Sequence, residues 1–192
     1  MMGREDHWTS PTAWQEHPEW WTADDDDADA AEYEVRGLVR ALIRCLQPRV
    51  VVETGTATGK TARMIGETLQ RNGHGWLWTV EIDPATALLA NTAVEGLPVT
   101  VVCADTADWW PPQLIDFAWI DSGPAAVRVG EIIRWRQVFT AGAIIGVHDT
   151  APNMGREVLC DRLHAFADQA GWPMLNLRTP RGVSLIQVPV WP

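Results

Sequence analysis

Residues 50–65 read Val-Val-Val-Glu-Thr-Gly-Thr-Ala-Thr-Gly-Lys-Thr-Ala-Arg-Met-Ile. An apolar β-branched run, the mark of a parallel strand buried on both faces, stops at Glu53. A loop carrying Gly55 and Gly59 follows, and a helical pattern starts near Lys60. The segment is thus a strand, a tight turn and a helix N-terminus. Gly55 can take a backbone conformation that other residues resist. Gly59 lets the start of the helix lie close to a ligand or to the strand. The helix N-terminus presents N–H groups without intrahelical partners and a partial positive charge.

Outward from this unit the same alternation repeats. Ahead of it, Ala30 to Leu46 carries Val35, Leu38, Val39, Leu42, Ile43 and Leu46 on one helical stripe, ended by Pro48. The first strand is read as Arg49 to Glu53, and the helix after it as Gly59 to Gln70, broken by Asn72-Gly73 and Gly75. Strands follow at Trp76 to Glu81, Val99 to Cys103, Ile115 to Ile120 and Ala143 to Val147. Between them Asp83-Pro84 opens a helix, residues 104–113 form a loop, and a helix spans about Ala125 to Phe139. A helix from about Asn153 to Gln169 precedes strands at Met174 to Leu177 and Val183 to Val188, whose short link Arg178-Thr-Pro-Arg-Gly182 reads as a hairpin. The pattern predicts an α/β fold: a doubly wound, seven-stranded mixed sheet with right-handed crossovers and an antiparallel last strand.

The chain has 192 residues, enough for one domain with a substantial core. Residues 1–30 stand apart as an N-terminal arm, and residues 31–192 form the domain. Trp8, Trp14, Trp20 and Trp21 lie among polar and turn-forming residues of the arm, which reads as a loosely ordered segment packed on the body. The sharper alternative is a lid or a homodimer contact. The net charge is −10, with part of it in the run Asp24–Asp27, and no basic face is evident. This balance disfavours a nucleic-acid backbone as partner. Cys45, Cys103 and Cys160 are odd in number and form no metal-ligand pattern. Cys103, in an apolar run, reads as core, and the set suggests a reducing compartment. No segment reaches membrane-spanning length and no apolar leader opens the chain, so the expectation is a soluble, cytoplasmic protein.

The loop admits competing readings. Gly59-Lys60-Thr61 looks like the tail of a phosphate-cradling P-loop, but that motif needs four residues between its glycines, and here there are three. The dinucleotide fingerprint Gly-x-Gly-x-x-Gly is absent. Glu53-x-Gly55-x-Ala57-x-Gly59 resembles motif I of class I S-adenosylmethionine (SAM) methyltransferases, in the Gly-Thr-Ala-Thr-Gly form of the catechol and caffeoyl-CoA O-methyltransferase relatives. The charges agree, since the amino group of SAM is cationic and SAM has no phosphate. The resemblance extends over about residues 30–188.

Ligands of doubly wound sheets bind outside the carboxyl ends of the strands. The ends here are Glu53, Glu81, Asp105, Asp121 and His148-Asp149. Carboxylates gathered on one rim repel one another, and a cationic ligand or a metal would offset this. An acid at position 81 can accept ribose hydroxyls. The resemblance implies a SAM site built from Glu53, Gly55, Thr56, Ala57 and Gly59, with Thr61 on the SAM carboxylate. It further implies Glu81, Ile82 and Asp83 on the ribose, Asp105 and Thr106 at the adenine, and Asp121 beside them.

In divalent-dependent relatives an acid after the fourth strand and an Asp-Asn pair after the fifth hold Mg²⁺. Asp121 matches the first, and Asp149-Thr150 stands where the pair is expected. The resemblance therefore implies Mg²⁺ at Asp121, Asp149 and Thr150, with Thr150 a poorer ligand than the Asn amide. Catechol-type enzymes carry a lysine base shortly after the strand-four acid, whereas Asp121 is followed by Ser122-Gly123-Pro124. His148 is the candidate base, with metal ligation or a bond to backbone as alternatives. The Ile-Gly-Val-His-Asp-Thr string is also similar to small methyltransferases acting on sugar or natural-product hydroxyls. Arg128, Arg134 and Arg136 are expected on the exposed part of their helix. The implied function is Mg²⁺-assisted methylation of a hydroxyl on a small molecule or sugar. A non-catalytic SAM-binding fold and a P-loop-like nucleotide hydrolase are the alternatives.

Overall fold

The computed structural model describes residues 31–151 and 157–190. The arm assigned to residues 1–30 lies outside them, as does the expected helix start at 153–156. Helix α1 (Tyr33–Leu46) leads into β1 (Val50–Thr54), α2 (Lys60–Asn72), β2 (Trp76–Glu81), α3 (Pro84–Ala93) and β3 (Val99–Cys103). Then come β4 (Ile115–Ile120), α4 (Ala125–Trp135), β5 (Phe139–His148), α5 (Glu157–Ala170), β6 (Met174–Leu177) and β7 (Val183–Gln187). The sheet order is β3-β2-β1-β4-β5-β7-β6. The first five strands run parallel, and β7 is antiparallel to both β5 and β6. This is the expected seven-stranded mixed sheet.

Alternation along the strands sorts the core into two layers. Val51 and Phe117 are paired across β1 and β4 and face α1 and α2, where Val39, Ile43, Ile65 and Leu69 are buried. Their neighbours Val52 and Ala118, also paired, face the other way, onto Val129, Ile132 and Trp135 of α4 and Leu159 and Leu163 of α5. Both faces of the sheet are thus covered, which is why β1 reads as an unbroken apolar run. Chain order reverses between β1 and β4, and that switch point opens a crevice at the carboxyl ends of the strands.

Two local expectations are corrected. The helix before β5 stops at Trp135 rather than Phe139, because Phe139 joins the sheet opposite Ile115 and the register slips before Phe117 meets Ile144. Cys103 is exposed, since it ends the edge strand β3, which no further strand covers. Among the described residues no helix is long and apolar enough to cross a membrane.

Candidate active site

The loop after β1 is built on left-handed backbone. Gly55 has φ 77°, and a Cβ there would lie 2.6 Å from the carbonyl oxygen of Asp121. The chain can therefore pass over the end of β4 only where a side chain is missing. Ala57 is also left-handed, at φ 47°. It is held by Glu81, whose Oε2 accepts from the Ala57 N–H at 2.9 Å while Oε1 accepts from the Asp83 N–H at 3.0 Å. The acid at the end of β2 thus ties the loop to the neighbouring strand. Asp83 caps α3, accepting from the N–H and the hydroxyl of Thr86, both at 2.7 Å, and these bonds lower its pKa.

Glu53 is buried beneath this loop. The Thr79 hydroxyl donates to it at 2.5 Å, and the Thr79 and Thr56 hydroxyls are 2.6 Å apart. Burial pushes the Glu53 pKa up to about 8, against the Thr79 hydrogen bond and with help from the charges of Asp121 and Glu81. Thr61 is buried in the first turn of α2 and Ile82 is exposed. Asp105, past β3, is exposed and accepts from the Ala107 N–H at 2.8 Å. Thr106 beside it is buried. Arg134 donates to the carbonyls of Thr106, Ala107 and Trp109 and so fastens this loop to α4.

The other side of the crevice is made by the ends of β4 and β5. Arg128 is 3% exposed, not on the outer face of α4 as its charge suggested. It lies on the stripe that continues through Glu131, Ile132 and Trp135, a spacing that points inward. Its guanidinium donates to the backbone carbonyls of Ser122 (2.6 Å), His148 (2.5 Å) and Asp121 (3.3 Å), and pairs with the Asp121 and Asp149 carboxylates at 3.3 Å each. Glu131 accepts from Thr54 and Ser122, and burial raises its pKa. Arg134 is half-buried, and Arg136 is exposed as expected.

Asp149 has φ 59° and is grasped by Arg181 from the β6–β7 link: Nε to Oδ1 at 2.6 Å and Nη2 to Oδ2 at 3.0 Å. His148 is fully buried, with Nε2 2.7 Å from Glu32 Oε2 and Nδ1 3.1 Å from Asp121 Oδ2. Burial alone would lower its pKa. The charge of Asp121 and the hydrogen bonds to Asp121 and Glu32 outweigh burial and raise it to about 9. Asp149 is held at about 2, since His148, Arg181 and Arg128 overcome the cost of burying it. Thr150 buries a hydroxyl that has no hydrogen-bond partner among the described residues. The cleft between the two sides has a volume of about 440 Å³ and is lined by Gly55, Ala57, Glu81, Asp121, Gly123, Pro124, Arg128, Asp149 and Arg181. A hollow of about 570 Å³ near Leu69, His74 and Pro98 lies at the amino ends of the strands and contains none of the strand-end acids.

A family model described as a methyltransferase domain matches residues 52–150, the span from β1 to the end of β5. The chain belongs to the methyltransferase domain family. It is a SAM-dependent methyltransferase with the class I sheet order. The methyltransferase is similar to PaMTH1 of Podospora anserina with SAH bound, at 17% identity and TM-score 0.72, over 94% of this chain and 89% of that one. It is similar to the O-methyltransferase TomG of Streptomyces achromogenes in complex with SAM, at 16% identity and TM-score 0.70, over 98% and 100%. An O-methyltransferase of Bacillus cereus in complex with SAH matches at 15% identity and TM-score 0.69, over 96% and 94%. No curated protein matches the chain.

The implied Mg²⁺ can be tested against the donor set of the methyltransferase. Asp121, His148 and Asp149 offer ligand atoms within 4.8 Å of one another. The unpartnered Thr150 hydroxyl would suit an ion. The charges do not. Carboxylates Glu32, Asp121 and Asp149 already face Arg128, Arg181 and His148, and both oxygens of Asp149 are taken by Arg181. Mg²⁺ needs oxygen ligands free to turn toward it. This donor set does not fit it. Glu32, Arg128 and Arg181 were missed from sequence. Only Arg128 carried a signal, its helical spacing with Ile132 and Trp135.

Proposed function

We propose that this methyltransferase moves the methyl group of SAM onto a hydroxyl of a small molecule or sugar. One observation carries the reading: a cleft lined by the strand-end acids Glu81, Asp121 and Asp149 lies at the switch point between β1 and β4, against the left-handed loop 55–59. In this reading Glu53, Gly55, Thr56, Ala57, Gly59 and Thr61 take the methionine part of SAM. Glu81, Ile82 and Asp83 take the ribose, and Asp105 with Thr106 the adenine. The likeness to TomG and the Bacillus cereus protein, both O-methyltransferases, supports oxygen as the acceptor atom.

The transfer is an in-line displacement. The acceptor oxygen bonds to the methyl carbon as the carbon–sulfur bond breaks, and the electron pair stays on sulfur. Binding holds oxygen, carbon and sulfur in line, which supplies most of the acceleration. The hydroxyl proton goes to Asp121, which lines the cleft, and His148 behind it keeps that carboxylate in place. With its pKa at about 9, His148 already carries a proton at neutral pH and serves here as a positioning cation rather than a base. Mg²⁺ assistance, which the resemblance implies, has no step in this reading.

The test is calorimetry with SAM and SAH, followed by methyl transfer to a panel of hydroxylated acceptors. Binding of both ligands, with product formed from at least one acceptor, is the expected result. ATP binding without SAM binding would overturn the reading in favour of a nucleotide hydrolase. SAM binding with no transfer to any acceptor would favour a non-catalytic fold.

A further inference from the structure

We infer that Arg181 denies the Asp121–His148–Asp149 cluster a divalent ion, so that the methyltransferase is metal-independent as folded. Its place on the acceptor side rests on the proposed function; its effect on ion binding does not.

The guanidinium forks onto both Asp149 oxygens, the bidentate geometry that makes arginine–carboxylate pairs strong. It is not a loosely placed surface side chain. The Arg181 N–H donates to Glu32 Oε1 at 3.1 Å, and its carbonyl accepts from the Ala151 N–H at 2.9 Å. Gly182 accepts from the Thr150 N–H at 3.2 Å, and a Cβ on Gly182 would fall 2.2 Å from the Ala151 nitrogen. The backbone of the β6–β7 link is therefore zipped to the two residues after Asp149, and the guanidinium is delivered to a fixed spot.

Chemistry makes the blockade durable. Lysine or histidine could lose a proton and yield to a metal, but arginine stays protonated in proteins. Arg128 and Arg181 already lie against the carboxylates of Asp121 and Asp149, so an incoming ion would bring two more positive charges up to two fixed guanidinium groups. Arg128 is a poorer candidate for this role, because its bonds to three backbone carbonyls make it part of the scaffold. The Arg181 side chain is 20% exposed, so its truncation leaves a space that water and an ion can enter.

The experiment titrates Mn²⁺, read by the electron paramagnetic resonance of the free ion, into the full chain and into Arg181→Ala and Arg181→Gln, with circular dichroism checking each fold. The wild type should bind no ion at concentrations up to ~1 mM. Each variant that folds should gain a single site at least ~10-fold tighter than that limit. SAM calorimetry in chelator, run alongside, reads donor binding separately, so loss of the SAM reading and loss of this one are told apart. One Mn²⁺ bound stoichiometrically to the wild type overturns the inference, as does a folded variant that gains no site. Should neither truncation fold, Arg181→Lys, which keeps a cation at the spot but can yield its proton, takes their place and should gain the site, and a folded Arg181→Lys that gains none overturns the inference.

Discussion

Glu32 Oε2 and His148 Nε2 stand 2.7 Å apart across 116 positions of chain. Glu32 precedes the first turn of α1, and His148 ends β5. The contact ties the residue ahead of the first described helix to the end of β5 and fixes the imidazole on one side while Asp121 holds it on the other. Burial of a charged ring is costly unless it is paired, and here both nitrogens are paired.

Replacing Glu32 by Gln should flatten the alkaline limb of stability. The folded pKa of His148, about 9, lies above its unfolded value of about 6.5. The stabilisation is therefore complete below about pH 6.5 and is lost as pH rises through about 9. Urea denaturation of the wild type at pH 6.5 and 9.5 should show this fall. Glu32→Gln should be less stable at pH 6.5 by ~1–3 kcal/mol and show a shallower fall. Equal slopes in the two proteins would remove Glu32 from the account.

Arg128 has a structural task that activity assays alone would miss. Arg128→Met should cost ~3–5 kcal/mol, because it takes one counter-charge from Asp121 and Asp149 and withdraws the donor from three carbonyls. Urea midpoints measure it, and a loss under ~1 kcal/mol would show that water replaces the guanidinium.

Two glycines with nearly the same φ provide an internal control. Gly55, at 77°, has the Asp121 backbone 2.6 Å from a would-be Cβ, while Gly73, at 78°, has nothing within 4 Å. Gly73→Ala should cost only the ~1–2 kcal/mol of left-handed strain. Gly55→Ala should cost more than that and abolish SAM binding, as read by thermal melts and calorimetry. Intact SAM affinity in a folded Gly55→Ala protein would mean that the loop is not the donor seat.

Glu53 works against the fold at alkaline pH. Its pKa rises from 4.5 to about 8 on folding, so stability declines as pH climbs from about 4.5 through about 8. Glu53→Gln, neutral throughout, should erase this decline and be the more stable protein at pH 9. A residue that costs stability is commonly retained for function. The variant should therefore bind SAM at least ~10-fold more weakly, a penalty of about 1.4 kcal/mol in calorimetry. Undiminished affinity would confine Glu53 to the core.

The sheet was legible wherever the chain is punctuated: β2 and β3 begin just after Gly75 and Pro98, and β2 and β4 run into Glu81 and Asp121. The α4–β5 boundary was misplaced because no such residue stands between Arg136 and Thr140, and apolar residues suit helix and strand alike. For Arg128, residue type misled where spacing was right. The strand-end acids were visible as a set, but the cations that answer them were not. Glu32 and Arg181 meet Asp149 and His148 only through the closure of the sheet, and no local pattern encodes that meeting.

Because Gly55, Ala57 and Glu81 form one wall of the cleft and Asp121, Gly123, Pro124, Arg128, Asp149 and Arg181 the other, the two walls draw on separate stretches of chain. Exchanging a single guanidinium in the β6–β7 link could retune the chemistry of one wall and leave the grip of the other untouched. A laboratory seeking new acceptors would do well to diversify that link first.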